Sequence, residues 1–178
     1  MVEERSGTLV LFSSKRQMEH VFDQLPKELV KLILMQGQYS NREMVRLHKE
    51  RIDQGRTSVL LGLASFAEGV DLPGDYCRHV VIAKLPFAVP NDPVEATLGE
   101  WIKGQGKNPF QEISVPEASM KLIQASGRLL RTESDSGTIT ILDERLLKKF
   151  YGQGILDSLP PYRRDAFTRD SLSIVSEP

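Results

Sequence analysis

The chain has 178 residues, of which 40% are hydrophobic and 26% charged, a balance typical of one globular domain with a sizeable core. The formal net charge is −1, so no overall positive field predicts nucleic-acid binding, although a local cluster of arginine and lysine would be enough. The single cysteine, Cys77, excludes an internal disulfide and a cysteine metal site. We find neither a signal peptide nor an apolar stretch of membrane-spanning length, so we expect a cytoplasmic protein.

Short apolar runs along the chain predict the strands of one sheet. They lie at residues 7–13, 30–35, 57–63, 80–85 and 137–142. Amphipathic segments between them predict helices, one capped by Ser13 or Ser14 and one capped by Ser40 or Asn41 and closed by Gly55. Strands that alternate with helices favour an α/β fold with a mostly parallel central sheet and helices on both faces.

Residues 86–116 depart from this alternation because they contain prolines at five positions. We interpret them as an excursion made of a loop, a helix over residues 94–103 and a second loop. The aromatic residues Phe87, Trp101 and Phe110 either fix this excursion to the domain or offer a surface on which bases stack. The polar segment 161–178 is expected to fray, which leaves residues 1–160 as the folded domain.

Residues 124–131, Gln-Ala-Ser-Gly-Arg-Leu-Leu-Arg, carry the strongest chemical signal. On a continuous helix, about 100° per residue places Gln124, Arg128 and Arg131 on one narrow stripe. Gly127 would cost about 1 kcal/mol in a helix interior, which indicates close approach to another group. Two guanidinium groups on one stripe suit a phosphate chain, whereas the plainer interpretation is a solvated helix face.

This segment is similar to motif VI of superfamily 2 helicases, and other segments agree with it in order. Residues 60–75 resemble motif V of the DinG and XPD branch, and residues 7–14 resemble motif IV. Residues 85–93 and 141–145 also resemble the DinG branch. The resemblance runs over residues 7–160 and implies the second motor domain of an ATP-dependent DNA helicase, with a RecA-like three-layer α/β fold.

The resemblance implies roles for the residues of the motif VI segment. Arg131 would be the arginine finger on the γ-phosphate, and Arg128 would be a second phosphate contact or a relay. Gln124 would orient this group, and Gly127 would let the backbone approach it. An arginine offered from outside the nucleotide pocket stabilises charge in the transition state of phosphoryl transfer.

The motif V segment would form a loop that couples nucleotide and strand. Glu68, Gly69 and Asp71 carry that resemblance, with Asp71 contacting the ribose or a motif VI arginine. A glycine at 69 suits a backbone that approaches a ligand or turns with positive φ. The alternative interpretation is an ordinary polar loop.

Contacts to single-stranded DNA would come from residues that follow the first three strands. We expect these contacts at Ser13, Ser14, Lys15, Ser65 and Gln36, because hydroxyl, amide and cationic groups commonly meet phosphates. Ser14 also suits a helix cap, and the role of Gln36 stays open.

The half of an ATP site that binds phosphate and magnesium is missing. The chain has no phosphate-binding G-x-x-x-x-G-K-[ST] loop, so we reject residues 138–144 as a magnesium-binding strand although they end in Asp-Glu. ATP and Mg²⁺ would be bound mainly by the N-terminal motor domain of the same parent protein, and this chain alone should be inactive. An iron–sulfur cluster, frequent in relatives of this branch, would need four cysteines outside this chain.

The resemblance further implies 5′-to-3′ movement on single-stranded DNA, and we expect a monomer with no membrane association. Two rival interpretations are a non-enzymatic nucleic-acid-binding or assembly module of the same fold and the helicase part of a nuclease–helicase fusion. A dinucleotide-binding enzyme is disfavoured because the G-x-G-x-x-G fingerprint is absent.

Overall fold

The computed structural model describes residues 6–88, 93–128 and 136–167. Within them lies a parallel five-stranded sheet with the order β2-β3-β1-β4-β5. The strands are β1 (Gly7–Phe12), β2 (Ile33–Met35), β3 (Ser58–Leu63), β4 (His79–Ile82) and β5 (Thr138–Ile141). All five predicted strands are confirmed, but each is shorter than predicted, β2 most of all, and Val30 belongs to a helix instead.

Eight helices surround this sheet in the described part of the chain. They are α1 (Lys15–Asp23), α2 (Lys27–Val30), α3 (Asn41–Asp53), α4 (Ala64–Glu68), α5 (Pro93–Gly104), α6 (Val115–Ser126), α7 (Arg145–Lys148) and α8 (Gly152–Ser158). Ser14 and Ser40 cap α1 and α3 as predicted, since each hydroxyl accepts a hydrogen bond from a backbone N–H three residues on. None of these helices is both long and apolar enough to span a bilayer.

Apolar side chains of the strands are buried on both faces of the sheet. Leu9 and Leu11 point into the larger core, which α3, α6 and α8 cover with Met44, Leu122 and Ile155. Val10 and Phe12 of β1 point to the other face, where Met18 of α1 packs against them. Alternation along a strand places successive side chains on opposite faces, so helices on both faces are required and the predicted three-layer α/β fold is confirmed.

A buried histidine joins β3, α3 and the segment that follows α4. His48 Nε2 lies 2.8 Å from the Tyr76 carbonyl oxygen, so that nitrogen donates, and Nδ1 lies 2.9 Å from Ser58 Oγ. Burial lowers the pKa of His48, which keeps the ring neutral and in this arrangement. Gly7 is required beside it because a Cβ there would overlap the Tyr76 carbonyl. His48 is therefore structural.

Three local predictions about loops and helix ends were wrong. The helix that carries Gln124 ends at Ser126, so Gly127 is its C-terminal cap and not an interior residue. The loop predicted after β3 begins as helix α4. In the excursion, a π-helical turn at Phe110–Ser114 leads directly into α6, so the second loop is shorter than residues 104–116.

Candidate functional site

The residues predicted to contact a single strand lie at one edge of the sheet. Phe12 pairs with Leu63 where β1 and β3 end, and Met35 at the end of β2 pairs with Leu61 of β3. Because neighbouring parallel strands end at the same edge, Ser13, Ser65 and Gln36 follow three adjacent strand ends. Ser13 and Ser65 are exposed, so the structure brings these predicted contacts to one surface.

The residues after β1 combine a helix cap with exposed polar groups. Ser14 Oγ accepts a hydrogen bond from the Gln17 N–H at 3.3 Å, which fulfils the capping role. Ser13 Oγ lies 3.4 Å from Gln17 Oε1, and Lys15 lies 3.6 Å from Glu19 in an exposed ion pair. An exposed pair of this kind contributes little to stability, so Lys15 can exchange Glu19 for a phosphate.

Gln36 uses its side-chain oxygen inside the protein. Its backbone N–H donates to the Leu61 carbonyl at 2.9 Å, and its Oε1 accepts from the Leu63 N–H at 2.9 Å. The side chain therefore extends the β2–β3 pairing by one hydrogen bond and holds the start of α4. Because the side-chain oxygen of Gln36 is already hydrogen-bonded, only its side-chain nitrogen is left for the predicted contact to a strand.

The motif V segment ends α4 and returns toward the core. Glu68 is the last residue of α4 and Gly69 is its cap, and both are exposed, as is Asp71. The φ of Gly69 is −94°, so the alternative of positive φ is excluded and approach to a ligand stays a prediction. A Cβ on Gly69 would meet nothing closer than 4.0 Å, so only an external group could require the missing side chain. The buried Val70 between these polar residues anchors the segment.

The end of α6 contacts the motif V segment through Arg128. The Arg128 Nη1 donates to the Val70 carbonyl oxygen at 3.3 Å, across 58 residues of sequence. Gln124 is exposed on the last turn of α6, and Gly127 caps that helix. Two segments that the sequence analysis assigned to one site are therefore adjacent. The predicted continuous helix through Gln124 and Arg128 was wrong, because α6 ends at Ser126. Arg131 lies outside the described residues, so its place on a common stripe with Arg128 stays a prediction.

Asp143 holds the segments that follow β4 and β5 together. Its Oδ2 accepts from the Leu85 N–H at 2.8 Å and from Arg145 Nη2 at 2.6 Å, and its Oδ1 accepts from Arg145 Nε at 2.9 Å. Burial alone would raise the pKa of the Asp143 carboxyl, but these hydrogen bonds hold it below its usual value. The engaged carboxylate supports rejecting a magnesium-binding role. Sequence patterns did not predict this link, whose only local signal is an arginine two residues after the aspartate.

Replacement of Asp143 by asparagine should lower the free energy of unfolding at pH 7 by about 2 kcal/mol. The side-chain oxygen of asparagine can still accept the hydrogen bond from the Leu85 N–H, but the ion pair with Arg145 is lost. Because the folded-state pKa is depressed, the contribution is present above the unfolded value of about 4 and is lost as pH falls through the folded-state pKa. Urea unfolding between pH 7 and pH 3 should show the gap between wild type and Asp143→Asn closing at low pH.

The control for this comparison is Glu144→Gln, which removes an exposed ion pair with Lys148. Its effect should stay within about 0.5 kcal/mol at every pH. A gap for Asp143→Asn that is independent of pH would mean that the carboxylate charge is not what stabilises the fold.

The aromatic residues of the excursion are mostly used within the domain. The rings of Phe87, Phe110 and Tyr151 lie 5.3–5.4 Å apart, and the Arg145 guanidinium lies 5.3 Å from the centre of Phe87. This packing supports the interpretation that Phe87 and Phe110 fix the excursion to the domain. Trp101 is 61% exposed on α5 and does not join this cluster.

Two kinds of polar group meet where the end of α6 contacts the motif V segment. The Arg128 guanidinium is a donor that suits phosphate oxygens, whereas the Glu68 and Asp71 carboxylates are acceptors that suit hydroxyl groups such as those of a ribose. Within the described ranges, no group of three or more histidine, cysteine, aspartate or glutamate side chains is arranged to hold a metal ion.

Residues 1–162 match the sequence model of the family described as Helicase C-terminal domain. The ATP-dependent DNA helicase DinG of Photobacterium profundum is 47% identical over 167 residues, covering 92% of this chain and 24% of that protein. DinG of Escherichia coli (strain K12) is 44% identical over 156 residues, covering 88% of this chain and 22% of that protein. The chain thus spans about a quarter of the length of these curated relatives.

Solved structures share the fold. A structure of apo XPD aligns with a TM-score of 0.65 at 21% identity, covering 85% of this chain and 31% of the other. Domain 2 of the DEAD-box helicase Mss116p aligns with a TM-score of 0.51 at 14% identity, covering 87% of this chain and 48% of the other. The fold is that of RecA-like helicase domains, and the match over residues 1–162 shows that the chain belongs to the helicase C-terminal domain family.

Proposed function

We propose that this domain is the second motor domain of a parent protein that unwinds DNA in the 5′-to-3′ direction by ATP hydrolysis. The N-terminal motor domain of the same parent would bind most of the ATP and its Mg²⁺. This domain would close the cleft with Arg128 and with Arg131 as the arginine finger. Gln124 would orient them, and Gly127 would allow close approach of the backbone.

The observation that carries this proposal is the contact between Arg128 and the Val70 carbonyl. It makes the end of α6 adjacent to Glu68, Gly69 and Asp71. Because Arg128 contacts this segment, a movement of the arginine toward the nucleotide would shift the segment. A movement of the segment on binding the strand would in turn shift the arginine. Such reciprocal coupling requires two sites that share one connecting element.

The strand-binding side of the proposal rests on the three adjacent strand ends. Ser13, Ser14 and Lys15 follow β1, Ser65 lies in α4, and Gln36 fixes the start of that helix. Hydroxyl and cationic groups bind the phosphate backbone without reading its sequence, as a translocating motor requires. Alternating grip by the two motor domains would then move the strand while ATP binding and hydrolysis close and open the cleft.

The curated relatives support the proposal because both are ATP-dependent DNA helicases by name and are more than 40% identical to this chain. We further propose that the parent acts as a monomer on single-stranded DNA. An iron–sulfur cluster, if the parent has one, would be held by cysteines outside this chain, since Cys77 is its single cysteine and is buried.

The test compares this chain alone with the full-length parent protein. The chain alone should show no measurable ATPase, because it lacks a loop to bind the β-phosphate. The parent should hydrolyse ATP in the presence of single strands and unwind duplexes with a 5′ tail in preference to a 3′ tail. Both activities are measured by phosphate release and by strand displacement.

Two outcomes would contradict the proposal. Appreciable ATP turnover by the isolated chain would contradict the proposal that it carries only part of the ATP site. Tight binding of single strands by the isolated chain, with a steep dependence on salt, would favour a module built to bind alone. A half-motor should bind single strands weakly without its partner domain and nucleotide.

A further inference from the structure

The turn that follows β2 is closed by hydrogen bonds at the carboxyl edge of the sheet. The Gln38 N–H donates to the Met35 carbonyl at 3.1 Å, and the Gln38 side-chain oxygen accepts from the Met35 N–H at 3.2 Å. A backbone bridge joins Gln36 to Tyr39, and Gly37 turns the chain with a φ of 99°. The turn is also tied to the start of α4 through Gln36 and Leu63.

This turn presents an aromatic ring to solvent. Tyr39 is 49% exposed. Phe87 and Phe110, by contrast, pack against Tyr151 beyond the end of β4. A tyrosine side chain has only two rotatable side-chain angles, so it loses little conformational freedom on binding and suits stacking on a planar ligand.

The position of Tyr39 relates it to the strand-binding residues. The sheet order places β2 beside β3, and β3 beside β1. Neighbouring strands are about 4.8 Å apart, so the turn after β2, Ser65 and Ser13 follow one another over roughly 10 Å of sheet edge. A strand that contacts Ser13 and Ser65 and continues in the same direction reaches Tyr39.

An exposed arginine follows Tyr39 by three residues. Arg42 is exposed in the first turn of α3 and has no ion-pair partner in the described part of the chain, whereas the neighbouring Glu43 is neutralised by Arg46 at 2.7 Å. An exposed aromatic ring and an exposed arginine in one short segment are the combination that binds a base and a phosphate without regard to sequence.

We propose that Tyr39 stacks on a base of the bound single strand and that Arg42 contacts a phosphate beside it, which extends the strand path beyond β3. This inference rests on the proposed function, because it needs a strand on the same edge of the sheet. Gln36 and Gly37 position the ring and do not themselves need to touch the strand.

The test measures single-strand affinity of the full-length parent protein with a fluorescent oligonucleotide. Tyr39→Ala should weaken binding about 5-fold or more and leave the salt dependence unchanged, whereas Tyr39→Phe should bind like the wild type. Arg42→Ala should instead lower the slope of log affinity against log salt by about 1. With an oligonucleotide of abasic sites, wild type and Tyr39→Ala should bind equally, because no base is left to stack.

The control is Phe150→Ala, which removes a 69% exposed ring beside Tyr151. Phe150 follows β5, the outermost strand on the side of the sheet away from β2. It should not change single-strand affinity. Equal binding by wild type and Tyr39→Ala to the normal oligonucleotide would overturn the inference and leave the proposed function standing. The same loss on abasic and normal strands would also overturn it and would indicate a contact to another protein segment. Failure of the wild type to bind single strands would overturn both.

Discussion

Replacement of Arg131 by alanine in the full-length parent protein should reduce ATP turnover by at least ~10³-fold and leave single-strand binding nearly unchanged. The expectation follows from the proposed role, in which this guanidinium meets charge that develops on the γ-phosphate in the transition state. Such an interaction is stronger in the transition state than with bound ATP, so its loss lowers turnover more than nucleotide affinity. Steady-state ATPase assays and nucleotide titrations measure the two effects separately.

Two further variants make this result specific. Arg131→Lys keeps the charge but loses the planar pair of donors, so turnover should be intermediate. Arg163→Ala removes a guanidinium whose side chain is 91% exposed, and it should leave turnover unchanged. Unchanged turnover in Arg131→Ala would remove this residue from the nucleotide site. Equal loss of turnover and DNA binding would indicate misfolding.

The central sheet could be predicted because its signals are local. Each strand is a short apolar run, and the serines that start α1 and α3 bind a backbone N–H only three residues away. Parallel order follows from the helices between successive strands, because a parallel pair needs a long crossover whereas a tight turn can join only antiparallel neighbours. The edge that carries Ser13 and Ser65 then follows from topology alone, without knowledge of any long-range contact.

The details of the site depended on contacts that sequence patterns do not contain. Gln36 binds Leu63 across 27 residues, and Asp143 binds Leu85 across 58. Periodicity also could not show that α6 ends at Ser126, because the leucines after Gly127 continue a helical pattern. A glycine is compatible with either a helix interior or a helix cap, and its surroundings decide between the two.

Two glycines of α8 offer a direct test of how the end of the domain is packed. A Cβ on Gly152 would overlap the Leu146 carbonyl of α7, whereas a Cβ on Gly154 would meet nothing within 4 Å. Gly152→Ala should therefore lower the free energy of unfolding by about 2–3 kcal/mol, since the obstructing atom belongs to the backbone and cannot rotate away. The melting temperature should fall by roughly 4–12 °C.

Gly154→Ala is the matched control, because it makes the same substitution in the same helix. Alanine favours the helix over glycine by about 0.5–1 kcal/mol, so this variant should be slightly more stable than the wild type. Opposite signs for the two variants, measured by thermal and urea unfolding, would establish that α7 and α8 pack closely. Since Ile155 of α8 is fully buried against the main core, that result would also support residue 160 as the end of the folded domain. Equal effects of the two substitutions would mean that α8 is not held against α7 and that the folded domain ends before residue 152.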